Sequence, residues 1–412
     1  MEQETADAAV IGAGIVGLGI AWTLLRSGRR VTLIDPAPAQ GATFAAAGML
    51  APVSEYHYQE ENLLALTLES AALWEDFAAR FGPLNGYRGT PTLVVGFDAA
   101  DRAALADLNA VQRAHGLEVE AVPLREARRM EPLLSPQLSC AFLTPGDHQV
   151  DPRVLHRRML EAFLRDGGAV LEEQAAGLCW AAADDGAQPV SGDDRPGAST
   201  AAGGRVTGVR LASGRTVAAH EVVVANGLAA PALEDLPEGL VLPLRPVHGD
   251  ILRLRVPERL RPFLTATVRG SVRGVPVYLV PREDGTVVIG ATQREDGQQG
   301  VSAGGVHQLL RDAQQLVPAV AELELEEITA RARPGTPDNA PLLGRVASGR
   351  GGEVAGLVIA TGFFRHGVLL TPVAGRAVLE LLNGHDNGRW AAFRPDRFSP
   401  GFLKEHTVEA HA

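Results

Sequence analysis

Three glycines and one acid near the start of the chain have the types and spacing to hold a phosphate-bearing ligand. Gly12, Gly14 and Gly17 stand at G-x-G-x-x-G spacing in the run Gly12-Ala13-Gly14-Ile15-Val16-Gly17. In that pattern the first glycine permits a tight turn, the second lets a pyrophosphate approach the backbone, and the third lets a helix pack on a strand. Ile15 and Val16 then open the helix whose N-terminus meets the phosphate. Asp35, followed by Pro36, is placed to accept hydrogen bonds from a ribose hydroxyl, and its charge disfavours a 2′-phosphate there. A glycine-rich turn that binds nothing is the alternative. The preceding strand, following helix and terminal acid together favour a dinucleotide site.

FAD and NAD share this motif, so a second cluster has to choose between them. The stretch GATFAAAGML at 41–50 supplies Thr43, Ala46, Ala47, Gly48 and Met49. It is too small and apolar for ordinary surface and suits packing against a flat ring, although a tightly packed helix start reads the same way. The chain offers only one good glycine motif and this flavin-like second segment, which ranks a nicotinamide enzyme last.

The elements that must position these residues follow from periodicity. An apolar run over 7–11, a helical pattern over 18–27 ended by Gly28, and a second apolar run over 30–34 form a β-turn-α-β unit. Leu63, Leu66, Leu73, Phe77 and Phe81 share a helical face that Gly82-Pro83 stops. Asp151-Pro152 supplies an N-cap and a first-turn proline for a helix carrying Leu155, Met159 and Phe163. Strand-like runs follow at 169–171, 206–211 and 221–225. The segment 277–291 alternates about Glu283-Asp284-Gly285 as a β-hairpin. Residues 357–360 read as a buried strand and 372–382 as a helix. The tract 181–204, rich in Ala, Gly, Asp, Ser and Pro, reads as a surface insertion.

Bulk properties exclude several classes. The 412 residues imply two or three domains. A formal charge of −11 argues against a phosphate-binding surface for nucleic acid. No apolar run is long enough to span a bilayer, so no membrane partner is expected. Cys140 and Cys179 have neither disulfide-framework nor metal-ligand spacing, so no metal is expected and a reducing cytoplasm fits. The short acidic start leaves no room for a signal peptide.

Six segments in one order carry a family resemblance: the opening motif, GATFAAAGMLAP at 41–52, RPVHGDIL at 245–252, VYLVPREDGTVVIGAT at 277–292, ARPGTPDNAPLLGR at 332–345 and TGFFRHGVLLTP at 361–372. Together they resemble the D-amino-acid-oxidase-like flavoproteins, and within them the glycine oxidases of thiamine biosynthesis, over 8–393 apart from 181–204. The resemblance implies an α/β fold, with a Rossmann-like FAD-binding domain interleaved with an α+β substrate domain built on an antiparallel sheet. The FAD-binding domain is expected from 1–88, 148–243 and 334–400. The substrate domain is expected from 89–147 and 244–333, with a tail at 401–412. The resemblance also implies that Arg333 pairs with the substrate carboxylate and that Tyr278 donates to it. Arg365 lies near the ring, and the backbone of His366, Gly367, Val368 and Leu369 approaches the ring's pyrimidine edge. Gly177, Ala225, Asn226 and Gly227 join the cofactor contacts, while Met49, Ala51 and Gln293 face the substrate. Residues 55–61 form a loop at the site entrance, read as hydrated despite Tyr56, His57 and Tyr58. His366 is read as structural or solvent-facing. A guanidinium fork holds a carboxylate in a fixed orientation that lysine cannot impose, which agrees with the part given to Arg333. Outside the motif, Arg333 reads as a surface ion pair and Tyr278 as a core residue.

Two departures from the family alter the pocket wall: Gly274-Val275-Pro276-Val277 replaces a segment that carries histidine, and Gln293 stands where methionine can occur. No cysteine follows Cys179, so FAD is expected to be noncovalent. The implied activity is oxidation of glycine or another small amino acid (sarcosine, D-alanine, D-proline), with dioxygen reduced to hydrogen peroxide, by a homotetramer in the cytoplasm. The competing readings are a D-amino-acid or N-methyl-amino-acid dehydrogenase with another electron acceptor, and a noncatalytic flavin-binding subunit.

Overall fold

The computed structural model describes residues 5–181, 204–349, 351–385 and 388–400. The expected insertion, apart from its end residues 181 and 204, and the expected tail lie outside the described residues. The chain forms two compact units, one from 1–40, 159–245 and 334–412, the other from 41–158 and 246–333.

The first unit is built on parallel strands. Ala169–Leu171, Val31–Ile34, Ala6–Ile11, Thr216–Val224 and Leu357–Thr361 lie side by side, each parallel to the next. The central strands carry short apolar runs at 8–11, 222–224 and 357–360 that are buried on both faces, as strands of a covered parallel sheet are. Residues Val222, Val223, Val224, Leu357, Val358 and Ile359 are all fully buried. Thr216–Val224 is longer than its apolar run because its first half pairs antiparallel with Val206–Leu211 while its second half joins the parallel core. Helix Ile15–Arg26 packs tightly on helix Thr371–Leu382. A Cβ on Gly19 would sit 2.4 Å from Thr371 Cγ2, and one on Gly375 would sit 2.5 Å from Thr23 Oγ1.

The second unit centres on an eight-stranded sheet. Its order is Glu324–Gly335, Arg245–Arg255, Thr286–Gly290, Val275–Pro281, Thr267–Val272, Thr92–Gly96, Cys140–Thr144 and Glu120–Ala121. The expected hairpin forms from Val275–Pro281 and Thr286–Gly290. One pair, Thr267–Val272 with Thr92–Gly96, runs parallel within a sheet expected to be antiparallel. Alternation assigns its faces. Leu93, Val95, Leu252, Leu254, Val268, Val277, Leu279 and Ile289 form the main core on one face. Ile251, Val280 and Val288 form a smaller cluster with Ala45, Ala47, Met49 and Tyr278 on the other.

The two units divide the chain differently from the expected domains: 41–88 and 148–158 group with the second unit, and 244–245 with the first. The reason is local stitching. Met49–Leu50 pairs with His148–Val150, and buried Arg282 donates to the carbonyls of Val150 (2.9 Å) and Ala47 and to Gln149 Oε1 (3.2 Å).

Candidate cofactor cradle and substrate wall

In the first unit the glycine motif sits at the strand-to-helix turn. Gly12 has φ +105°, and a Cβ there would lie 2.5 Å from the Ala225 carbonyl oxygen, so only glycine fits. A Cβ on Gly17 would lie 1.9 Å from the Gly12 carbonyl oxygen, which closes helix onto strand. Gly14 is the N-cap at φ −67°, an angle any residue adopts. A glycine there leaves the backbone open to close approach by a ligand. Ile15 opens the helix, whose first turn contains no acid and whose cap supplies no side-chain hydrogen bond. Its positive dipole end therefore suits an anion.

Asp35 lies beside this turn. Its carboxylate accepts from the Ala13 N–H at 2.6 Å and the Ala37 N–H at 2.8 Å, and Pro36 next to it is exposed. Each carboxylate oxygen keeps a lone pair for a hydroxyl. Ala225, Asn226 and Gly227 form the facing turn, which reaches the last strand where Thr361 Oγ1 donates to the Gly227 carbonyl at 3.0 Å. Asn226 Oδ1 is buried without a hydrogen-bond partner, an orphaned acceptor that fits a hydroxyl-bearing ligand. Residues of the glycine turn thus fit a dinucleotide on the structure's own terms.

The segment 364–369 also lies in this unit. A Cβ on Gly367 would contact Val16 Cγ2 at 3.8 Å, which places this turn against the start of the first helix. Arg365 lies over the Phe364 ring, 5.5 Å from its centroid. His366 is buried, its N–H donates to the Phe363 carbonyl at 3.0 Å, and Val368 and Leu369 are buried after it. Gly177 has a packing reason of its own: a Cβ would lie 2.9 Å from the Glu234 carbonyl oxygen.

In the second unit the structure brings Arg333 and Tyr278 together. The Tyr278 phenol is pushed up to about 12, chiefly by burial, while the charge of Arg333 and a hydrogen bond from it pull the other way. Tyr278 therefore stays protonated at neutral pH. The Arg333 guanidinium lies flat on Gly249, where a Cβ would meet its Nη1 at 2.2 Å, and Nη1 donates to the Thr292 carbonyl at 3.4 Å. Thr292 is itself fixed, since its hydroxyl donates to buried Asp250 and accepts from the Asp250 N–H, both at 2.8 Å. Sequence reading missed Gly249 and Thr292; the signal was a lone glycine inside the apolar run of RPVHGDIL, a mark of close approach to the backbone.

Met49 packs on the same small cluster as Tyr278, and Ala51, two residues on, is buried. Gln293 is exposed. Thr43 and Ala47 are buried. Gly48, at φ +71°, is held by its own unit: a Cβ would lie 2.0 Å from the Val150 carbonyl oxygen. Ala46 ends the short helix Ala42–Ala45. The loop read as hydrated is buried over its first part. Glu55 pairs with Arg269 at 2.5 Å, and Tyr56 is buried with its hydroxyl 3.3 Å from His115 Nε2. Upstream, the buried Asp147 carboxylate accepts from the Val53 and Ser54 N–H groups at 3.0 and 2.7 Å. His57 and Tyr58 are exposed, as a hydrated loop requires.

Residues 7–381 match the family model described as FAD dependent oxidoreductase. The chain belongs to this family. Among its relatives in the FAD dependent oxidoreductase family, a glycine oxidase of Geobacillus kaustophilus is 32% identical over 91% of this chain and 92% of its own length. A bifunctional protein ThiO/ThiG of Synechocystis is 30% identical over 96% of this chain and 54% of its own. The chain thus spans about half the length of the bifunctional relatives that it matches. The crystal structure of glycine oxidase from Geobacillus kaustophilus superposes with a TM-score of 0.80 at 29% identity, covering 95% of this chain and 98% of that one. No described helix is long and apolar enough to cross a membrane, and no described cluster of His, Cys, Asp or Glu could hold a metal ion.

Proposed function

We propose that this FAD-dependent oxidoreductase oxidises the C–N bond of an amino acid to an imino acid that water converts to an oxo acid and ammonia, with dioxygen reduced to hydrogen peroxide. One observation carries the reading: a guanidinium held flat on Gly249 and tied to the Thr292 carbonyl, with a protonated phenol beside it. That pair is built to fix a carboxylate. Arg333 takes it as a fork, and Tyr278 donates its O–H to it. When bound, FAD supplies the two-electron acceptor and the route to dioxygen. The family's cofactor role falls to Gly12, Gly14, Ile15, Val16, Gly17, Asp35, Ala225, Asn226 and Gly227, with Arg365 and residues 366–369 beside them. Residues 43 and 46–49 are assigned to the ring, and Met49, Ala51 and Gln293 to the substrate side.

Tyr278 is no base at neutral pH, because burial holds its proton. The chain's contribution is therefore orientation of a neutral amine and retention of its carboxylate. The motif resemblance implies thiamine synthesis as the setting, with glycine among the amino acids oxidised, in a homotetramer in the cytoplasm. Anaerobic titration of the yellow protein with glycine, sarcosine, D-alanine and D-proline tests the reading. Bleaching is expected, with peroxide on readmission of air. A flavin that no amino acid bleaches would overturn it.

A further inference from the structure

On the same sheet face as Tyr278 the second unit holds a partly open cavity of about 120 Å³. Register puts it one strand away. Arg269 lies directly opposite Tyr278, Ser271 opposite Pro276, Val94 beside Arg269, and Phe142 opposite Val94. Cross-strand partners share a face, so Pro276, Arg269, Val94 and Phe142 floor the cavity next to the phenol. Helix Ala99–Ala114 covers it with Leu105, Leu108 and Asn109, and residues 54–57 close one side.

These walls are fixed. Asp101, on the covering helix, accepts from Ser271 Oγ (2.6 Å) and from the Arg273 and Gly274 N–H groups (2.9 and 2.8 Å). Asp147 anchors the loop, and Gln112 Nε2 donates to the Val53 carbonyl at 2.9 Å. The cavity's chemistry is equally definite. Most of its exposed lining is apolar, from Val94, Leu105, Leu108, Phe142 and Pro276, and the one charged side chain of its floor, Arg269, is neutralised by Glu55 behind the lining. Asn109 is 7% exposed, lines the cavity, and has its Nδ2 donor buried without a partner. Such a donor calls for an acceptor, and a lone charge placed here would be desolvated without compensation. A cavity of roughly 150 Å³ holds benzene, so this one takes roughly four or five heavy atoms.

Resting on amino-acid oxidation at Arg333 and Tyr278, we propose that this cavity receives the substrate's side chain. The preferred substrate is then an uncharged amino acid with a short apolar stem and a hydrogen-bond-accepting tip, rather than glycine. With the carboxylate held at Arg333, the side chain runs past Tyr278 over Arg269 and Pro276 towards Asn109.

The test is anaerobic flavin reduction of the holoenzyme by glycine and by both enantiomers of alanine, norvaline, methionine and glutamine. In one enantiomeric series the second-order rate constant should rise at least tenfold from alanine to methionine or glutamine. Val94→Phe, which fills the floor, should cut the rate for these longer substrates at least tenfold more than for glycine. Asn109→Leu should slow glutamine at least fivefold relative to norvaline. If Val94→Phe fails to retain flavin, Leu105→Phe fills the same space from the helix. Bleaching by glycine that is faster than by every longer amino acid of either series overturns the side-chain assignment and leaves the oxidase reading intact. Bleaching by none overturns both.

Discussion

In the proposed function the glycine turn and the arginine wall solve the same problem, presenting donors to an anion, by opposite routes. At the turn the donors belong to the backbone, and the residues that matter are contiguous: one strand end, three glycines and one helix start. At the wall the donor is a side chain, and its orientation comes from Gly249, Thr292 and Tyr278 on three other segments. A local site depends on backbone conformation, whereas a distributed site depends on packing. Substitutions in the two regions should therefore fail in different ways.

The largest effect is expected at the turn. Gly12→Val forces a Cβ against the Ala225 carbonyl in a backbone conformation that valine avoids, and the purified protein should be colourless, read from the flavin absorbance. Flavin retained at wild-type stoichiometry would break the comparison. At the wall, Arg333→Ala should keep the flavin and raise KM for the amino acid by about two to three orders of magnitude, as loss of a charge-assisted fork predicts. Unchanged kinetics would remove Arg333 from the site.

Gly249→Ala sharpens the point, because it touches neither proposed ligand. The added methyl displaces the guanidinium, so KM should rise by about tenfold with flavin absorbance intact; loss of flavin would mean that the two regions are not separable. Tyr278→Phe removes a single donor and should raise KM by roughly five- to tenfold, the cost of one hydrogen bond.

A further effect, on stability and not on KM, tests the loop anchored on the wall's side. Burial pushes the Asp147 carboxyl up to about 6. A raised folded-state pKa contributes stability that is present at low pH and lost as pH rises through about 6. The difference in unfolding free energy between wild type and Asp147→Asn, from denaturant melts, should therefore shift against the wild type from pH 4 to pH 7, by on the order of 2 kcal/mol. A shift in its favour would mean that the N–H groups of Val53 and Ser54 outweigh burial.

Legibility followed the same division. The strand, turn, helix and second strand of the first unit stand where the apolar runs and Gly28 place them, with ends moved by a few residues. The hairpin and the helix Pro152–Arg165 were equally readable from Asp284-Gly285 and Asp151-Pro152. By contrast, 41–88 went to the other unit, because the short strand Met49–Leu50 and the carbonyls that Arg282 gathers carry no periodic signal. Glu55 and Tyr56 read as hydrated from their polarity, yet are buried because Arg269 and His115 satisfy them. The helix Ala99–Ala114 went unread, although Asp98 and Asp101 form a capping box that announces it.

The sequence alone determined what nearest neighbours along the chain enforce: a glycine turn whose backbone excludes side chains, an acid at the next strand's end, and the alternation that makes a hairpin. Tertiary structure alone decided which face of the second sheet Tyr278 shares with Arg269 and Pro276, how Gly249 flattens Arg333, and that a cavity opens beneath Asn109. Backbone angles and strand alternation act over a few residues. Guanidinium orientation and cavity volume arise from segments that meet only after the sheet has closed its register.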